Sequence, residues 1–191
     1  APTHRVLYRE FPGIGGVCHT HSKHATMFSQ AGVGLPCQGT THADHFHGAV
    51  PVVRELTPEE VADDYEGNTG LAIAECFRER GIDPLALPGC FQKFHAPFTW
   101  GVSALASVKN SVALEVCAEM ALGTWQLNAQ QKGLPDHLLD KHYLRKHGAG
   151  AYYYMDEGLE GDPDAPVGCR LVTSWSTTEA EVDRFLATLD G

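Results

Sequence analysis

Cys18-His19-Thr20-His21 falls in a β-branched, glycine-rich stretch that reads as a strand over residues 14–21. Residues i and i+2 of a strand project from one face, so the His19 and His21 imidazoles can meet a single ion, and Cys18 alternates to the opposite face as a core residue. A third histidine, His95, stands at the end of a strand expected over residues 90–94, ahead of an Ala96-Pro97-Phe98 turn. Three neutral imidazoles with an open fourth position describe a catalytic rather than a structural zinc site. Taken alone, the pattern is equally compatible with hydrogen-bonded strand histidines that hold no metal.

His42, His45 and His47 form a second cluster around Asp44. Loop histidines of this kind more often support a site than ligate a metal. Asp44 is the chemically more useful member, because a carboxyl group beside a cation can act as general acid or base. Its alternative reading is a turn-forming Asx residue.

The elements that must position these groups follow from periodicity and caps. A short helix is expected over residues 2–11, and a second opens at Ser22 as N-cap. Residues 34–48 show no period and read as a loop that carries function. A short strand follows over residues 49–53. Thr57-Pro58-Glu59-Glu60 supplies an N-cap, a first-turn proline and a capping-box acid for a helix ending near Gly81, with a break expected around Gly67 and Gly70. The strand over residues 90–94 runs into residues 95–101 with a turn at Ala96-Pro97-Phe98, and residues 103–127 read as one long, largely buried helix marked by Leu105, Val108, Val112, Leu114, Val116, Met120 and Leu122. A last helix spans residues 136–147 and stops at Gly148. Mixed strands and helices indicate an α/β layered domain.

The chain has 191 residues, 43% of them hydrophobic, enough for one core. Its formal net charge of -10 argues against nucleic-acid and anionic-membrane surfaces, so an anionic substrate needs a local site. No apolar run approaches the roughly 18 to 20 residues of a membrane span. Six scattered cysteines without a CxxC pair suit reduced, buried thiols in a cytoplasmic protein.

Several longer stretches carry a resemblance: Pro2-Thr3-His4-Arg5, Gly15-Gly16-Val17-Cys18-His19-Thr20-His21-Ser22, Gly39-Thr40-Thr41-His42-Ala43-Asp44, Pro97-Phe98-Thr99-Trp100-Gly101, and Leu139-Asp140-Lys141-His142-Tyr143-Leu144-Arg145-Lys146-His147-Gly148-Ala149. Through them residues 1–153 resemble the L-ribulose-5-phosphate 4-epimerases, a branch of the class II aldolase and adducin-like superfamily. The resemblance implies a three-layer α/β/α domain around a mostly antiparallel central sheet, with Zn2+ on His19, His21 and His95. It places Asp44 and Tyr153 as the two catalytic acid/base groups and Thr40, Glu66 and His142 as substrate-binding residues. It implies a sugar-phosphate substrate cleaved between C3 and C4 by retro-aldol chemistry and re-joined on the other face. It further implies a homotetramer with active sites at subunit interfaces. Within the same superfamily the alternatives are a sugar-phosphate aldolase and a non-catalytic, adducin-like assembly module. The retained histidine, aspartate and tyrosine set speaks against the module.

Three departures accompany the resemblance. The acidic metal ligand and phosphate-binding loops of the family would precede Ala1, so the domain over residues 1–154 is expected to be incomplete at its N-terminus, with weak or no activity. Gln92-Lys93-Phe94 stands where the epimerases usually carry another histidine. Residues 155–191 are expected to form a linker plus a strand and helix resembling the end of a threonine-aldolase type protein. A fragment, a chimera and a misassigned sequence all fit this tail, which lacks a Schiff-base lysine context of its own.

Overall fold

Strand alternation decides which layer each side chain joins. The computed structural model describes residues 1–147 and contains one sheet of four strands: β1 (Gly16–His19), β2 (Val52–Val53), β3 (Gly89–Gln92) and β4 (Pro97–Gly101). Their order is β1-β4-β3-β2, with β1–β4 and β3–β4 antiparallel and β2–β3 parallel. The register sets His19 and Cys90 against Phe98, and Val17 against Trp100, so these five share one face. Gly16, Cys18, Thr99 and Phe91 share the other.

Helices cover both faces. On the first lie α1 (Pro2–Glu10) and α4 (Pro58–Glu79), where the Trp100 ring packs 4.9 Å from Phe11 and 5.1 Å from Phe77. On the second lie α2 (Lys23–Ala31) and α5 (Ala104–Leu127), where Phe28 stacks on Phe91 at 5.7 Å and the Thr99 hydroxyl donates to the Ser107 carbonyl at 3.0 Å. The single turn of α3 (Thr40–Ala43) and the helix α6 (Asp136–His147) complete the described elements. The result is the expected three-layer α/β/α arrangement around a mostly antiparallel sheet.

Two glycines set the layer spacing. A Cβ on Gly16 would lie 2.5 Å from both the Ala104 Cα and the Ser103 carbonyl oxygen, so only glycine lets the first turn of α5 rest on β1. A Cβ on Gly70 would lie 2.7 Å from the Val6 Cβ, so α1 and α4 meet at a bare backbone, a contact reinforced by the Thr3 hydroxyl bonding to the Glu66 carbonyl at 2.7 Å.

Local expectations are corrected at five points. Strand β1 stops at His19, leaving His21 beyond the ladder. Pro97 and Phe98, read as part of a turn, belong to β4, which like β3 pairs on both sides. The supposed loop over 34–48 holds the single turn of α3 and a Leu35–Val50 bridge. The capping box at Thr57 forms as expected, yet the break in α4 falls at Asp64 rather than at Gly67 or Gly70. Asp64 takes an extended φ/ψ and its side chain accepts the Gly67 N–H at 3.0 Å, so it acts as an internal N-cap for the second half of the helix. On α5 the buried face is Ser107, Ser111, Ala113, Leu114, Cys117, Ala118 and Ala121. Leu105, Val108, Val112 and Met120 are exposed, because the close approach over glycine leaves room for small side chains on the sheet side.

Of the described cysteines, Cys37, Cys76, Cys90 and Cys117 are buried and all five are free thiols. No described helix is long and apolar enough to cross a membrane. The expected domain boundary at 154/155, the strand and helix beyond it, and Tyr153 lie outside the described residues.

His42 is buried, with its Nε2–H donating to the Gly48 carbonyl at 2.7 Å. Burial pushes its pKa down to about 4, against the pull of that carbonyl. His45 is likewise pushed to about 4, by burial first and then by Lys146. The unfolded chain binds protons at these histidines below its ordinary value of 6.5, where the native state resists them until about 4. Stability is therefore full above pH 6.5 and is lost as pH falls towards 4, by about 3 kcal/mol at His42. Urea titrations across this range are expected to show that loss, and His42→Gln is expected to reduce it while leaving the His45 share.

Candidate metal centre

His19, the last residue of β1, lies with its ring on Phe98 at 4.1 Å, and its Nδ1 is 2.9 Å from the Pro97 carbonyl. A carbonyl only accepts, so Nδ1 carries the proton and Nε2 presents a lone pair. His95 sits in the turn between β3 and β4, its own N–H bonded to the Gln92 carbonyl at 3.0 Å. The preceding Phe94 adopts φ 62, a left-handed conformation held by its N–H bonding to the Ser29 carbonyl at 2.9 Å. This turn aims the His95 Nε2 at the His19 Nε2, 3.1 Å away. His21 completes the group edge-on, its ring centroid 5.0 Å from His19 and 4.8 Å from His95. One ligating nitrogen from each of the three lies within 4.8 Å of the others.

Two imidazoles sharing a tetrahedral zinc at about 2.0–2.1 Å hold their nitrogens about 3.3 Å apart, close to the His19–His95 spacing. The electrostatics favour the same use. Burial lowers the His19 pKa, the Pro97 carbonyl opposes this, and His95, His21 and His4 lower it further. Burial and His21 lower that of His95. Neutral rings are the form that binds metals. The residues present therefore fit a divalent cation.

Beside the histidines lies a cavity of about 220 Å³, walled by Thr3 and His4 of α1, Tyr65, Glu66 and Thr69 of α4, and Phe98. Glu66 thus lines the cavity beside the histidines. His4, Tyr65 and Thr69 were not singled out from the sequence. His4 had a signal in its place beside Thr3 in the Pro2-Thr3-His4-Arg5 stretch, and its Nδ1 is buried without a hydrogen-bond partner.

Asp44 and His142 belong to a separate group. Asp44 caps the end of α3, which packs against α5 and α6. Its Oδ1 is 3.1 Å from the His142 Nδ1, its Oδ2 4.0 Å from the Lys146 Nζ, and its carbonyl accepts the His147 Nε2–H at 2.8 Å. Thr40 lies in the same turn, with its carbonyl accepting the Asp44 N–H at 2.9 Å. His47 bonds to Asp140 of α6 at 2.8 Å, while His42 is a buried structural residue. Among the described residues, no hydrogen bond or ion pair joins this group to the three histidines.

Residues 1–122 match the model of the class II aldolase and adducin N-terminal domain. The chain belongs to that family. It is 46% identical over 151 residues to L-ribulose-5-phosphate 4-epimerase UlaF of Salmonella paratyphi C, and equally to the protein of that name from Salmonella typhi. The match covers 79% of this chain and 65% of each relative, so the chain spans a little under two thirds of their length. Among solved structures, an L-fuculose 1-phosphate aldolase superposes with a TM-score of 0.57 at 17% identity, over 74% of this chain and 59% of that one. The L-fuculose-1-phosphate aldolase of Thermus thermophilus gives 0.53 at 22% identity, over 70% and 64%. At these identities the structures speak for the fold alone.

The candidate assignment separates the two groups by experiment. His95→Ala is expected to lose most bound zinc, and Asp44→Asn to keep it, when each purified variant is analysed for metal beside the parent. Full zinc occupancy in His95→Ala contradicts the site, and zinc loss in Asp44→Asn makes Asp44 a ligand.

Proposed function

We propose that this chain is the metal-bearing part of an enzyme that epimerises L-ribulose 5-phosphate to D-xylulose 5-phosphate, with Zn2+ on His19, His21 and His95. The observation that carries the reading is the pair of Nε2 atoms facing each other at 3.1 Å, with the proton of His19 fixed on the far nitrogen. Identity of 46% to proteins named as that epimerase supports the choice of substrate.

A cation held there supplies a Lewis acid for the ketose carbonyl and its neighbouring hydroxyl. The chain's own residues do the rest. Pro97 fixes the tautomer and orientation of His19 through its carbonyl. Phe98 gives the cavity an apolar floor, and the Glu66 carboxylate on its wall binds and orients substrate hydroxyls. Asp44 and Tyr153 move protons on opposite faces as the C3–C4 bond breaks and re-forms. Because Asp44 stands on α3, away from the histidine cavity, we read its carboxylate as serving the cavity of another copy in a homotetramer.

Protein reconstituted with Zn2+ and given L-ribulose 5-phosphate is expected to form D-xylulose 5-phosphate without release of glycolaldehyde phosphate. Accumulating glycolaldehyde phosphate would indicate an aldolase instead. In the same assay, mixing two inactive variants, His95→Ala and Asp44→Asn, is expected to restore part of the activity, since a mixed assembly contains intact composite sites. No recovery after subunit exchange contradicts the shared site.

A further inference from the structure

His21 is the least constrained of the three histidines. His19 is fixed twice, by the β1 ladder and by its Nδ1–H on the Pro97 carbonyl, and His95 is fixed by the β3–β4 turn. His21 lies past the end of β1, is exposed, and receives no hydrogen bond at its ring among the described residues. Its place must come from the backbone between β1 and α2.

That backbone is tied to α5. Ser22 is the N-cap of α2 but makes no side-chain cap bond. Glu115 of α5 takes over the cap from across the interface. Its two oxygens accept the His24 N–H at 2.9 and 3.1 Å, one of them accepts the Ala25 N–H at 2.9 Å, and the other meets the His24 Nδ1 at 2.9 Å. One turn earlier on the same face of α5, the Ser111 hydroxyl lies 3.4 Å from that of Thr20. The carboxylate also complements the positive end of the α2 dipole. Burial would push its pKa up, yet its bonds to Ala25, His24 and Ser22 together hold it below the usual carboxylate value.

We propose that Glu115 is the positioning residue for His21: by capping α2 from α5 it anchors residues 20–25 and holds the third imidazole against the other two. The proposal rests on the reading of these histidines as a cation site. A carboxylate accepts all of these donors together, whereas an amide turns an N–H2 towards at least one of them. Without the charge, the first turn of α2 frays and His21 drifts from the His19–His95 pair.

Co2+ is a suitable probe, because its visible absorption reports both occupancy and coordination. The full chain is titrated with Co2+ as the parent, Glu115→Gln, Glu115→Ala, Ser111→Ala and Thr57→Ala. Both Glu115 variants are expected to bind about 10- to 100-fold more weakly, with an altered visible spectrum. Ser111→Ala, which cuts the Thr20 tie and leaves the cap whole, is expected to lose a smaller, measurable factor. Thr57→Ala removes the capping box of α4 and is expected to melt earlier yet bind Co2+ as the parent does. Parent affinity and spectrum in the Glu115 variants overturn the proposal, as does an equal loss in Thr57→Ala. Parent affinity in Ser111→Ala overturns the anchoring argument even where a Glu115 variant fails to fold. A parent that binds no Co2+ overturns the cation site itself, a result distinct from failure at Glu115.

Discussion

The antiparallel pairing of β1 with β4 is the constraint on which the site depends. Opposing His19 to Phe98 puts the imidazole on an aromatic floor and within reach of the Pro97 carbonyl. The short turn that joins β3 to β4 then brings His95 to the same spot, although 76 residues separate it from His19 in the chain. A one-residue slip in this register would turn His19 to the α5 face and abolish the cluster. Backbone pairing, more than any side-chain contact, sets the meeting of the two rings.

Each helical layer contributes something different. Through α1 and α4 the chain builds the cavity beside the histidines, and the bare-backbone contact at Gly70 is what brings Glu66 and His4 close to His19. On the opposite face α5 lies low over Gly16 and, through Glu115, reaches past the sheet edge to the start of α2. The sheet is thus clasped from both sides at the end where the three histidines converge. The group around Asp44 stands outside this clasp, fastened to α6 by His142, Lys146 and His147. Under the proposed function, this separation reflects a site completed by another copy.

Much of this was legible in the sequence, for reasons that are local. The Thr57 capping box and the long α5 opening at Ser103 are encoded within a few residues and fold as read, whereas His21, read on one strand with His19, lies past the end of β1. The pairing of His95 with His19 was anticipated from residue type and resemblance, while its geometry was not. β4 was hidden because Pro97 and Gly101 bracket it with turn residues, and only its two neighbours make it a strand. The inward face of α5 was misread because hydrophobic periodicity assumes that large side chains pack inward, whereas a helix lying on glycine buries serine and alanine. The break at Asp64 escaped because an acidic residue inside a helix looks like a solvated position until its carboxylate is seen capping Gly67. Glu115 likewise looked like an ordinary surface acid of a helix, since nothing local to it reveals a partner 90 residues earlier.

The central claim is that three imidazole nitrogens hold one cation. X-ray absorption at the zinc edge of the reconstituted protein tests it most directly. The account predicts a shell containing three imidazole nitrogens at about 2.0–2.1 Å with their outer-ring scattering, completed by light atoms. A sulfur shell near about 2.3 Å, or a zinc environment without imidazole, would contradict it.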